Sequence, residues 1–355
     1  MSTAKSNVII PQMDSTQMSM SQNIPLNLVR LYPKLKKRIT AVPLFRIGDI
    51  VAERWIIRTN RPWRIWANFF AKDSREEELK GVAIKTELKM RKGKIAKRMI
   101  LEQKVLLRLQ GRAHVPLLWE VVPQNINDIR KQSPFKRFSR PTMARIVIQG
   151  IAGLRDMHQI GYIHRDIKPH NLCFGLSEVS KHRLVIIDYG LARRFRHSNG
   201  QLRPLREDCG FRGTTVYASL RAHEGKDLGP SDDLTSLFYV AIEMILGYVP
   251  WKHARRNEEV KALKEAIQED DFQSVTKKVG RGLREFGRAV YSMDADDEPN
   301  YTSLQNTMLV DFIIHQKLQA DFTKDRRLSD PYDWDNNFED VIREHDINRM
   351  ISKKA

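Results

Sequence analysis

The stretch from Ile163 to Leu191, IHRDIKPHNLCFGLSEVSKHRLVIIDYGL, concentrates the chemistry of this chain. His164-Arg165-Asp166-Ile167-Lys168 is followed by Asn171, and an aliphatic run from Leu184 to Ile187 then delivers Asp188-Tyr189-Gly190. The carboxylate of Asp166 can accept a hydroxyl proton, and Lys168 can offset the charge of an anion. The oxygens of Asn171 and Asp188 suit a hard divalent ion such as Mg²⁺. Any one of these residues would fit a polar loop leading into a core strand. The ordered set is what phosphoryl transfer uses, where positioning and charge neutralisation matter more than covalent chemistry.

With 355 residues the chain can bury a substantial core and form two lobes. Lys and Arg number 61 against 43 Asp and Glu, a net charge of +18. The excess suits acidic partners, although most such residues in any protein simply face water. Cys173 and Cys209, both in the catalytic half, give no disulfide framework and point to a reducing compartment. No charged-then-apolar leader is expected. The longest apolar run, Leu237 to Trp251, is interrupted by Glu243 and Gly247 and reads as a buried helix. A soluble, intracellular protein is expected, cytoplasmic and with access to the nucleus, without a membrane segment.

Residues 1–40 lack periodicity and are expected to form a flexible basic segment; a domain over 41–335 and a tail over 336–355 follow. Within the domain, a small strand-rich lobe (about 41–125) precedes a larger helical one (about 126–335). Arg54–Thr59 and Val82–Lys85 read as strands. From Gly93 a helical pattern runs through Ile95, Met99, Glu102, Leu106 and Leu109, which places a carboxylate on the buried stripe. A buried carboxylate calls for a cation, and Lys85 is the candidate; alternatively Glu102 lies at the stripe's edge and reaches water. Pro141–Gly161, Glu258–Ile267 and Leu283–Met293 read as further helices, and Leu117–Val122 as a strand.

The 163–191 set resembles the catalytic motifs of protein kinases, with Tyr189 in place of the usual Phe. From about Ile47 to Asp335, some four-fifths of the chain, the sequence resembles the casein kinase I superfamily and, within it, the tau-tubulin kinase branch. The marks are Gly210-Phe211-Arg212-Gly213-Thr214, Tyr217-Ala218-Ser219, Ala222-His223, Asp232-Asp233-Leu234, Ser236-Leu237-Phe238-Tyr239, Pro250-Trp251 and Asp330-Pro331-Tyr332-Asp333-Trp334. The resemblance implies an α+β, bilobal kinase fold using ATP and Mg²⁺. It assigns Asp166, Lys168, Asn171 and Thr214 to catalysis, and Lys85, Glu102, Ala83 and Asp188 to nucleotide binding, with Asn171 and Asp188 as metal ligands. Asp233 would anchor the catalytic loop; either aspartate could instead cap the helix it precedes, which is the reading preferred for Asp232.

Three departures from the family pattern stand out. Where a Gly-rich loop would cover the phosphates, this chain has Arg61-Pro62-Trp63-Arg64-Ile65-Trp66-Ala67-Asn68-Phe69. Pro62 has no N–H to offer, and Phe69 falls where a smaller residue packs on adenine. Between His114 and Pro141, where the family has two strands, a hinge and a short helix, only one candidate strand precedes polar sequence. About 12 residues, enough for two strands and a turn, are expected to be absent, giving a shortened hinge. Finally, Val216 replaces an arginine that binds phosphate on primed substrates, while Arg206 and Arg212 remain.

These readings give a serine/threonine protein kinase acting, as a monomer, on acidic or cytoskeletal protein substrates, with no specific nucleic acid and no membrane partner. Two alternatives stay open: a pseudokinase scaffold with little or no ATP binding, and a basic docking module for acidic surfaces.

Overall fold

The computed structural model describes residues 46–51, 54–62, 67–74, 82–86, 90–91, 94–95, 98–116, 124–175, 180–277, 279–318, 331–342 and 345. The 1–40 segment, residues 63–66, Gly93, the expected Leu117–Val122 strand and Asp330 lie outside them. The chain forms two compact units, one of residues 1–111 and 116–122, the other of residues 112–115 and 123–355. They match the strand-rich and helical lobes of a bilobal α+β kinase.

The first unit is built on an antiparallel sheet in the order β1-β2-β3-β4: Ile50–Val51, Trp55–Pro62, Ala67–Asp73 and Val82–Thr86. Trp55 and Ile57 are buried while Arg58 is exposed, the alternation of a strand with one face on a core. A register shift between Ile57 and Thr59 carries β2 past Thr59, so pairing continues to Pro62 opposite Ala67. Two expectations are corrected here: β2 is longer than Arg54–Thr59, and β3 occupies sequence read as the end of a covering loop. Met90–Arg91 (β5) and Lys94–Ile95 (β6) form a hairpin, so the helix α1 begins at Arg98 rather than Gly93 and runs to Leu109. Hairpin pairing of Met90 with Ile95 prevails over the helical period that Ile95 extends. On α1, Glu102, Val105, Leu106 and Leu109 are buried, the i, i+3, i+4, i+7 stripe of an amphipathic helix.

The second unit opens with β7 (Gln124–Asn125) and α2 (Ile126–Gln132). The helix was not legible as such: seven residues, INDIRKQ, contain only two aliphatics. Asn125 caps it by accepting from the Asp128 N–H at 3.0 Å, and Ile126 and Ile129 are buried. Arg130 donates to Lys136 O (2.6 Å), Gly247 O (3.0 Å) and Glu243 (2.8 Å). Sequence read only as polar therefore carries a short helix.

Next come α3 (Arg140–Gln159), β8 (Tyr162–Ile163), β9 (Leu172–Phe174), β10 (Leu184–Ile186) and β11 (Arg193–Arg194). The three-stranded sheet is ordered β10-β9-β7, and β8 pairs with β11. The rest is helical: α4 (Leu220–His223), α5 (Pro230–Leu246), α6 (Asn257–Glu269), α7 (Gln273–Thr276), α8 (Arg281–Tyr291) and α9 (Tyr301–Leu318).

Helix α5 is the core element. It is buried along nearly its whole length and packs on α3 and α8. It stops at Gly247, which adopts φ +83, a left-handed conformation that favours glycine. Among the described residues no helix is long and apolar enough to cross a membrane.

The Pro331–Trp334 motif clamps the start of α3. Asp333 accepts from Ser139 Oγ (2.6 Å) and Ser139 N (2.7 Å), while Ser139 caps α3. The Arg145 guanidinium lies 4.0 Å from the centroid of the Tyr332 ring, against which Trp334 stacks at 4.5 Å.

Candidate active site

The catalytic segment leaves β8 at Ile163 and turns through residues that few sequences would place unaided. Arg165 has φ +67 and Asp188 φ +68, left-handed values that cost energy in a non-glycine residue and persist only under external restraint. Asp233 of α5 supplies that restraint at Arg165. Its carboxylate accepts from His164 N (2.7 Å), Arg165 N (2.8 Å) and His158 Nε2 (2.9 Å). Burial pushes the Asp233 carboxyl up, but the His158 and His164 interactions prevail and hold it below the usual carboxylate range. The Asp188 turn is tied from its flanks: His164 Nε2 donates to Ile187 O at 3.0 Å, and Ile187 N to Asn171 O at 2.9 Å.

On this frame the polar set converges. Lys168 Nζ donates to Asp166 Oδ2 at 2.6 Å and to Thr214 Oγ1 at 3.2 Å, and Thr214 Oγ1 donates to Asp166 Oδ1 at 2.6 Å. Asn171 donates through Nδ2 to Asp166 O at 2.8 Å. Asp166 is thus gripped at both carboxylate oxygens and at its backbone carbonyl while remaining 8% exposed. The Asn171 nitrogen is committed to that carbonyl, so its side-chain oxygen is the Asn171 atom that could meet a cation, and Asp188 stands on the turn after β10 as the second oxygen donor the sequence offers. Two hard oxygen donors suit Mg²⁺, which retains water and binds substrate phosphates instead of needing an all-protein cage. Among the described residues no cluster of three or more His, Cys, Asp or Glu side chains could hold a metal.

In the first unit, Lys85 on β4 meets Glu102 on α1 at 2.6 Å, with both side chains largely buried. The buried-carboxylate reading of Glu102 is therefore the correct one. Ala83 lies on β4 opposite Phe70, and Phe69 pairs with Ile84.

Thr214 can reach Asp166 because Gly213 precedes it. Gly213 has φ +104, and a Cβ there would stand 2.7 Å from Arg165 O. Gly213→Ala is expected to push the Thr214 turn away from the catalytic loop, lowering kcat about 10-fold and stability by about 1–2 kcal/mol. Steady-state kinetics and urea unfolding of the purified variant check this; unchanged kcat would refute it.

Basic residues crowd the adjacent segment. Burial, followed by the charges of Arg193, Arg206 and Arg212, pushes the Arg165 guanidinium down to about 10. Buried Asp227 pairs with Arg193 and also accepts from Arg206 N at 3.0 Å and Arg206 Nη2 at 3.2 Å. Neither Asp227 nor His158 was picked out from sequence; no spacing flags a single carboxylate whose partners lie 21 and 34 residues away. Asp232 accepts from Gly229 N at 2.8 Å, the reciprocal half of a capping box, and also pairs with Arg221.

Residues 64–317 match the protein kinase domain family, and the chain belongs to that family. Its enzymatic class is protein serine/threonine kinase. A Caenorhabditis elegans relative named as a casein kinase I is 32% identical over 274 residues, covering 73% of this chain and 77% of its own length. A serine/threonine-protein kinase of Dictyostelium discoideum is 35% identical over 219 residues, 62% of this chain and 42% of its own length. The serine/threonine-protein kinase spe-6 of C. elegans is 30% identical over 228 residues, 62% of this chain and 56% of its own length.

Proposed function

We propose that this chain transfers the γ-phosphoryl group of ATP to serine or threonine hydroxyls of proteins, in acidic sequence contexts. The observation that carries the reading is the closed set Asp166–Lys168–Thr214–Asn171, in which every hydrogen bond is one that phosphoryl transfer can use. Asp166 orients the acceptor hydroxyl and takes its proton. Lys168 offsets charge on the transferred group, and Thr214 fixes Asp166 against rotation. Lys85, oriented by Glu102, holds the α- and β-phosphates, and Ala83 packs near adenine. Asn171 and Asp188 hold Mg²⁺, which when bound neutralises phosphate charge.

A preference for acidic acceptors is supported by the Arg165, Arg193, Arg206 and Arg212 cluster. Asp227 already engages two of these arginines, and Val216 stands where a phosphate-binding arginine would, so strict dependence on a primed substrate is not part of the proposal. Placement in the tau-tubulin kinase branch rests on the resemblance of the 210–251 and 330–334 motifs, and a cytoskeletal substrate is its corollary.

Mg·ATP at about 100 times its Kd is expected to stabilise the protein by about 2.7 kcal/mol, raising Tm by roughly 5 °C, and Asp188→Asn to remove the shift. Differential scanning fluorimetry measures both. Absence of any shift at millimolar Mg·ATP in the wild type would favour the scaffold alternative, to which the glycine-free loop lends support.

A further inference from the structure

Lysine is rarely fully buried, yet Lys264 of α6 is 0% exposed. Its ammonium donates to Thr215 O at 3.0 Å, to Ala218 O at 2.6 Å and to His223 Nε2 at 3.1 Å. Burial pushes the Lys264 ammonium well below its ordinary range. Its three N–H bonds nevertheless meet three acceptors, and the Tyr239 and Trp251 rings face it at 4.5 and 5.0 Å from their centroids, contacts that favour the protonated form. The histidine is matched to this role. Its Nε2 serves as acceptor, so Nδ1 carries the proton toward Asn257 Oδ1 at 3.0 Å. Burial, reinforced by the Lys264 charge, pushes the His223 imidazole down to about 4, which keeps Nε2 unprotonated at neutral pH. Trp251 adds a third tether to the same turn through Nε1, which donates to Val216 O at 2.8 Å.

These donors occupy the carbonyls of Thr215, Val216 and Ala218, all in the turn that follows Thr214. The turn itself is closed by Tyr217 N and Ala218 N, both donating to Thr214 O, at 2.9 and 3.0 Å. Thr214 in turn touches Asp166 and Lys168. With three of its carbonyls, those of Thr215, Val216 and Ala218, engaged by α6 and the α5–α6 connection, the turn cannot rotate without breaking a buried hydrogen bond.

We propose that Lys264, seconded by Trp251, is a positioning residue for the protein acceptor: it locks the 214–218 turn in the conformation that receives the segment around the reacting hydroxyl. This rests on the kinase reading above. It assigns to a residue of α6, which touches neither Asp166 nor Lys168, control over acceptor binding as distinct from nucleotide binding.

The test compares the full-length wild type with Lys264→Met, which keeps the aliphatic stem and removes the donors, and with Trp251→Phe, which removes one donor and keeps a ring. Dephosphorylated casein is the acceptor. Lys264→Met is expected to raise the KM for casein about 10-fold with the KM for ATP within twofold. Hydrogen exchange at the Tyr217 and Ala218 amides should accelerate at least about 10-fold, while the His164 and Arg165 amides held by Asp233 keep their rates. A casein KM within twofold of wild type, or an ATP KM rising as far as the casein KM, overturns the proposal. Unchanged exchange at Tyr217 and Ala218 overturns it as well. If Lys264→Met does not fold, Trp251→Phe decides: about a 3-fold rise in casein KM alone supports the proposal, and none overturns it. A wild type no more active than Asp166→Asn overturns the kinase reading and the acceptor role with it, an outcome distinguishable because the exchange rates still report the tether.

Discussion

Asp166→Asn is expected to lower kcat by roughly 10³-fold while leaving the KM for ATP within twofold. The substitution is close to isosteric, so the fold and the Asn171 bond to the backbone carbonyl should survive. One oxygen remains to accept from Thr214, as Asp166 Oδ1 does at 2.6 Å. The other becomes an amide nitrogen facing the Lys168 ammonium, which now bonds Oδ2 at 2.6 Å. That replaces an ion pair by donor against donor, so Lys168 turns away and loses its aim at the transferred group. An amide also cannot take the hydroxyl proton. Both losses fall on the chemical step rather than on nucleotide binding, which is why kcat is the quantity expected to move. Radiometric transfer to casein under saturating Mg·ATP measures it. A variant retaining more than a tenth of wild-type kcat would remove Asp166 from the proton-transfer role.

What could be read in advance was whatever the chain keeps local. Asp166, Lys168, Asn171 and Asp188 fall within 23 residues, so their order alone carried the chemistry, and the structure brings Asp166, Lys168 and Asn171 together directly. Lys85 and Glu102 were legible for a different reason: a carboxylate on a buried helical stripe demands a cation, and the preceding strand offered one. Elements whose formation depends on distant partners were not legible. Helix α2 has little apolar periodicity and is secured by Arg130 reaching Gly247 and Glu243, more than 110 residues on. Strand β3, ANFFAKD, lacks the strict alternation of a half-buried strand and is drawn into the sheet by partners on both sides. The start of α1 was placed at Gly93 because Ile95 fits the helical period, while the β5–β6 hairpin claims the same residue. Lys264 looks in sequence like one more solvated lysine among 61 basic residues, and only the fold encloses it.

Asp233→Ala is expected to be the most damaging single change to stability, costing about 3–5 kcal/mol. The carboxylate is 1% exposed and accepts three N–H groups, two of them backbone amides of the catalytic loop. Alanine would leave His164 N, Arg165 N and His158 Nε2 without the buried acceptor they now share. Arg165 would also lose the restraint that keeps it at φ +67, so the loop carrying Asp166 should relax and activity fall together with stability. Asp233→Asn should be milder, since one amide oxygen can serve one backbone N–H while the amide nitrogen opposes another. The pH dependence carries a definite sign. The folded carboxyl lies below its ordinary value, so this contribution is fully present above the unfolded-state pKa of about 3.9 and is lost as pH falls through the lower folded value. At pH 7 the whole effect is therefore visible, and the wild type's advantage over Asp233→Ala should shrink only in strong acid. Urea unfolding followed by circular dichroism at pH 7 reads the difference. A midpoint for Asp233→Ala indistinguishable from wild type would mean that the helix-to-loop anchor contributes nothing, and that the left-handed turn at Arg165 is held by other contacts.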